Sequence, residues 1–181
     1  MFTMAHRSLP ANPMSYLQHL HTLTRYKAWA DRLFFQSLAA LPEAVLKEHQ
    51  PIVFGSMLRT LNHVYCMDQV WKAHLEGVPH SFKTRNPEDC PAFEALRAAQ
   101  EHIDDWYVQY AQSLDEASLS ETVRFTFIGG GEGAMSRGDI LMHVVNHTTY
   151  HRGHVATMMY NISAYPPTTD LPVFLREASG E

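Results

Sequence analysis

The chain has 181 residues, 45% of them hydrophobic and 18% charged, with a formal net charge of −5. This is the composition of an ordinary globular protein, and its length suits one well-packed domain, expected over 1–181 with a core at about 14–160. The negative balance and scattered Lys and Arg argue against a nucleic-acid binder, and no run reaches the roughly 18 apolar residues of a membrane span.

The opening stretch "MFTMAHRSLPANPMS" has no apolar run followed by a small-residue cleavage site, so no export signal is expected. The two cysteines, Cys66 and Cys90, form no CxxC and no framework of pairs, which fits a reducing cytoplasm. Histidine is the compositional outlier, with 12 residues.

Residues 14–40 carry the first helical period: Leu17, Leu20, Leu23, Leu33, Phe34 and Leu38 recur at three- and four-residue steps, and Pro42 stops the run. A second helix is expected from Ser56, a suitable N-cap, to Gly77, a suitable stop. A third spans about 91–114, with Pro91 in its first turn.

The period then changes. In "ETVRFTFIGGGEGAMS", Val123, Phe125 and Phe127 alternate with polar residues ahead of a glycine turn, which predicts a short β-hairpin decorating a helical core. The fourth helix starts at Ser136, where Asp139 stands in for the acid of a capping box, and runs to about Tyr160. The tail, with Pro166, Pro167 and Pro172, is expected to be loop with a short terminal turn. The fold expected is all-α, a four-helix bundle with a hairpin insertion, and the 77–91 connection is long enough for a crossover.

The fourth helix contains "HVVNHTTYHRGH", with histidines at 143, 147, 151 and 154. On a wheel with His143 at zero, the apolar direction set by Ile140, Val144, Val155 and Met158 lies at roughly 60–80°. His147 and His151 fall astride it, near about 40° and 80°, while His143 and His154 lie at its margin. Two imidazoles one turn apart can chelate one ion, and an inward pair finds further ligands on neighbouring helices. A hydrogen-bonded pair of core histidines has the same spacing, so the row alone leaves both readings open.

His63, on the second helix with Met67 and Val70 near its own face, supplies a third candidate ligand. Three inward imidazoles would leave coordination positions free, as catalytic sites do; structural zinc is normally closed by four protein ligands. Cys66 points about 60° away from His63 and reads as a buried thiol. His19, His21, His49, His80 and His102 show no comparable grouping and are taken as surface residues.

With these residues in view, "LNHVYCMDQVWKAHLEG" and "GDILMHVVNHTTYHRGH" together resemble the DinB/YfiT-like family. "YKAWADRLF" matches its first-helix pattern, and the likeness spans about 14–160. The resemblance implies a down-up-up-down bundle holding a divalent metal through the positions of His63, His147 and His151; imidazole nitrogens suit zinc or nickel. One departure is "HRGH" where many relatives have "HRGQ", which makes His154 a group facing substrate or supporting the ligands, or a tolerated replacement.

Asp68 and Trp71 follow the family's DxxW pattern. Asp68 could orient a ligand imidazole, or pair with Arg32 or Arg152 between helices; Trp71 reads as core. Asn146 and Arg152 fit either a pocket lining or a polar helix face. The relatives implied are thiol S-transferases, so the leading expectation is a metal-dependent transferase joining a small thiol to an electrophile. A metal-dependent hydrolase is the second expectation, with Asp68 or His154 as catalytic base. A non-enzymatic, stress-related metal-binding bundle is the third, and a homodimer is the expected assembly.

Overall fold

The computed structural model describes residues 14–180; all but the last two residues of the stretch read for an export signal lie outside them. The elements are α1 (Tyr16–Leu38), α2 (Glu43–Lys47), α3 (Met57–Glu76), α4 (Phe93–Ser113), α5 (Glu116–Leu119), β1 (Thr122–Thr126), β2 (Glu132–Ser136), α6 (Arg137–Asn161) and α7 (Leu171–Ser179). The four long helices α1, α3, α4 and α6 are those the apolar period predicts. Among the described residues no helix is long and apolar enough to cross a membrane.

The helix ends follow from local chemistry. Ser15 and Gln18 form a capping box at α1, each side chain accepting the other's backbone N–H. Ser56 accepts from the Arg59 amide to open α3, and Gly77 closes it at φ +70°, a left-handed backbone that glycine adopts without a Cβ clash. Ser136 caps α6 through the Asp139 amide. The single turns α2 and α5 are too short to show a period, and the sequence did not reveal them.

The tail departs from expectation. Instead of ending in a brief turn, it forms α7, with Pro172 in the first turn, where a missing N–H costs nothing. Phe174 anchors it against Tyr26 and Trp29, with ring centroids 5.9 and 5.5 Å away. Nine residues are marginal as an isolated helix, so it is this tertiary contact that holds α7 in place.

Residue pairs between helices give the topology. Phe35 stacks on Phe93 while His21 meets the Ala111 carbonyl, so α1 and α4 run antiparallel. Cys90, just ahead of α4, reaches the Leu58 carbonyl, and Arg137 joins the Leu75 carbonyl to Tyr110, so α3 and α4 run parallel. His63 facing His151 and Trp71 facing His143 make α3 and α6 antiparallel. The result is an all-α, down-up-up-down four-helix bundle, with the 77–92 connection crossing over. The β1–β2 hairpin pairs Thr122 with Ser136 and Phe125 with Gly133 before the last long helix. It is more than decoration: Val123 and Phe125 belong to the core, and Gly133 makes room for the Phe125 ring, which a Cβ there would approach to 2.5 Å.

Two large apolar clusters fill the bundle, and a smaller one of Tyr26, Ala30, Val145 and Phe174 lies where α7 packs on α1. One, at the hairpin end, includes Leu20, Trp71, Tyr107, Phe125 and Ile140; the other includes Phe34, Leu58, Phe93 and Met158. Between them lies a layer of buried charge. The Lys27 ammonium, 1% exposed, meets Asp31 at 3.1 Å, Asp68 at 2.9 Å and Asp104, and Gln100 bridges Asp68 and Asp104. Arg152 joins Asp31 at 3.2 Å and the Tyr26 hydroxyl at 2.8 Å. Burial alone would lower the Lys27 pKa, but the three carboxylates outweigh it and hold the ammonium well above its usual range. Burial lifts Asp104 to about 8 against the pull of Lys27.

The sequence-based pairing of Asp68 with Arg32 or Arg152 is thus corrected. Its partner is Lys27; Arg32 is exposed, and Arg152 spends its charge on Asp31. Replacing Lys27 by Met strands buried carboxylates without a counter-charge, at a cost of about 3–5 kcal/mol. Urea unfolding is expected to show a loss of that size, whereas a loss under about 1 kcal/mol would mean that the layer neutralises itself without Lys27.

Candidate metal centre

The antiparallel contact between α3 and α6 sets His63 opposite two successive turns of α6. His63, His147 and His151 each offer a ring nitrogen to a group in which those atoms all lie within 4.8 Å of one another. The Nε2 atoms of His63 and His147 are 3.1 Å apart, and the His151 ring lies 4.7 Å from that of His63 and 4.5 Å from that of His147, centroid to centroid. His63 and His151 are buried and His147 is half-buried.

The surroundings fix the proton and the plane of these rings. His63 donates Nδ1–H to the Arg85 carbonyl at 2.8 Å, which assigns the free lone pair to Nε2, the atom facing the group. Phe54 stacks on the His63 ring at 4.1 Å and fixes its plane. Burial, with the neighbouring imidazoles His151 and His63 adding to it, holds His147 down to about 2. Burial, with His63 and His154, holds His151 down to about 4. Burial also lowers His63, despite the opposing bond to the Arg85 carbonyl. All three rings are therefore neutral at physiological pH, the form that binds metal.

The His63–His147 pair fits a divalent ion of zinc's size. Two nitrogens at roughly 2.0–2.1 Å from such an ion, at angles between tetrahedral and octahedral, stand about 2.8–3.4 Å apart. The His63–His147 separation falls inside that interval. Among the described residues no carboxylate or thiol joins the group, so three nitrogens would leave coordination positions free.

The group forms one wall of a cavity of about 520 Å³. Met67, Val70, Phe125 and Phe127 give it an apolar lining, and His143, His74 and Arg85 supply its other polar edges. His143 packs edge-on against Trp71 at 4.9 Å, so Trp71 is a core residue that also borders the cavity.

Other sequence candidates are placed elsewhere. Asp68 is buried on Lys27 and reaches none of the three histidines; the oriented ring, His63, is held by a backbone carbonyl instead. His154 lies against Tyr150 and His151 and is not among the residues lining the cavity. Cys66 bonds to Asn62, and burial pushes its thiol up to about 11. Asn146 is exposed, and Arg152 belongs to the charged layer.

His19, His49 and His102 are exposed as expected, but His21 and His80 are half-buried. His80 packs on His74, which sequence reading passed over although His63, Met67, Val70 and His74 recur at steps of four, three and four. Arg85 and Phe54 were missed as well. They come from connecting segments, where no period points to a site.

The sequence pattern of the DinB family matches residues 14–181. The chain is 24% identical over 159 residues to protein DinB of Bacillus subtilis (strain 168), covering 84% of this chain and 91% of that protein. Its fold is similar to the crystal structure of a DinB-like protein from Bacillus cereus ATCC 10987, with a TM-score of 0.63 and 16% identity over 84% of this chain and 94% of the other.

The lowered imidazole pKa values have a signed consequence for the metal-free protein. Between about pH 4 and 6.5 the unfolded chain binds protons that folded His147 and His151 refuse. Their contribution to stability is complete above pH 6.5 and is lost as pH falls. Nitrogen-15 ring spectra are expected to show both rings still neutral at about pH 5; midpoints near the model-compound value of 6.5 would contradict this.

Proposed function

The chain belongs to the DinB family, and from that premise we propose that it is a metal-dependent thiol S-transferase with His63, His147 and His151 as the ligands of a zinc or nickel ion. The observation that carries this reading is the convergence of three neutral imidazoles, with no fourth protein ligand, on the wall of an apolar cavity. A divalent ion held there would lower the pKa of a bound thiol so that it reacts as thiolate at neutral pH.

The rest falls to the chain's own residues. The Arg85 carbonyl keeps the His63 proton on Nδ1, and Phe54 holds the ring plane, so the ligand nitrogen is aimed before anything binds. The apolar walls exclude water from the thiol and its electrophile. In the reaction a sulfur–carbon bond forms, the bond from that carbon to its leaving group breaks, the leaving group departs with the electron pair, and the thiol proton passes to solvent.

Hydrolysis is the weaker reading. Asp68 is committed to Lys27 and His154 does not line the cavity, so neither base expected for it borders the space where a substrate would sit. The metal and the transfer are tested together. Purified protein is expected to hold one divalent ion per chain and to consume thiol in the presence of a model electrophile such as an aryl halide. The His63→Ala and His151→Ala variants are expected to lose metal affinity by at least about 100-fold, the upper end of what losing a supporting partner costs, and activity with it. Undiminished metal content in both variants would remove the site; intact metal binding without thiol consumption would remove the transferase.

A further inference from the structure

Arg85 serves the cavity twice. Its carbonyl orients His63, while its side chain is the only charged group on the cavity wall among the described residues. No aspartate or glutamate lines that wall, although the whole chain carries an excess of five acidic residues. The guanidinium is exposed and makes no ion pair with a described carboxylate, in contrast to Lys72 and Arg137, which are paired with Glu76 and Glu121. Three neutral imidazoles would leave a bound divalent ion its full charge, so an anion in this cavity would meet positive charge from both the ion and the guanidinium. The same wall carries the apolar side chains of Met67, Val70, Phe125 and Phe127.

Resting on the metal-centre reading above, we infer that this cavity selects an organic carboxylate with an apolar or aromatic body, its carboxylate on the Arg85 guanidinium and its body along Met67, Val70 and Phe125. A single guanidinium fork matches the two oxygens of a carboxylate. A phosphate would call for more donors than one arginine at a cavity rim provides. About 520 Å³ is within the range of small-molecule sites and admits a substituted arylalkyl chain. Arg85 is on this account a specificity residue, and the acid belongs to whichever partner, thiol or electrophile, carries the apolar body.

The test is calorimetric titration, at low ionic strength, of 4-phenylbutanoate and its neutral amide into wild-type protein, Arg85→Gln and Arg85→Lys, each zinc-loaded and zinc-free. Wild-type protein is expected to favour the acid by about two- to fivefold, the size of one solvent-exposed ion pair. Arg85→Gln should abolish the preference while leaving affinity for the amide and the melting temperature unchanged, and Arg85→Lys should restore part of it. Equal binding of acid and amide by wild-type protein, or no binding of either, overturns the inference. So does a preference that survives in Arg85→Gln but disappears on zinc removal, since the ion would then hold the carboxylate. An Arg85-dependent preference in protein that takes up no metal would sustain the carboxylate site and defeat the transferase reading alone.

Discussion

One ammonium group ties the bundle together. Lys27 on α1 reaches Asp68 on α3 and Asp104 on α4, and Asp31 extends the link through Arg152 to α6. All four long helices thus meet in one buried layer of charge, where a sliding helix would leave a carboxylate or a cation unpaired. Burying such charges is favourable only when each finds its partner. Apolar clusters above and below contribute most of the burial, but they tolerate shifts that the charged layer does not.

The histidine group lies at the same height. His63 lies between Leu61 and Asp68 along α3, and His147 and His151 lie between Val144 and Arg152 along α6. The polar layer therefore crosses the bundle, with fixed charges towards α1 and α4 and neutral imidazoles on the α3–α6 side that opens to the cavity. This division has an electrostatic logic. The acids of the layer are consumed by Lys27 and Arg152, so among the described residues no carboxylate joins the three imidazoles on the cavity side. The connections before and after α3, together with the hairpin, then close over the α3–α6 face through Phe54, Arg85 and Phe125.

Much of this was legible from residue order. The inward direction of His147 and His151 followed from Ile140, Val144, Val155 and Met158, all of which are buried. The caps at Ser15, Ser56, Gly77 and Ser136 are local chemistry, and the structure uses Ser56, Gly77 and Ser136 as read. The charged layer had a signal that went unused: Leu20, Thr24, Lys27, Asp31, Phe34 and Leu38 share one buried stripe of α1, and its polar members sit where a core helix should be apolar. Residue spacing shows that such a group is inward, but names no partner, and so Asp68 was assigned to the wrong cation. The α7 helix was missed because nine residues have too little period to register and gain their stability from Phe174 packing on α1.

The sequence by itself determined the number and ends of the long helices, the hairpin, and which face of α3 and α6 carries histidine, because each of these depends on interactions within a few residues. Only the tertiary structure decided that the two faces meet antiparallel, that a backbone carbonyl at Arg85 sets the His63 proton, and that His143 and His74 share the cavity while His154 does not. Those facts depend on distances between segments 20 or more residues apart, which local periodicity does not encode.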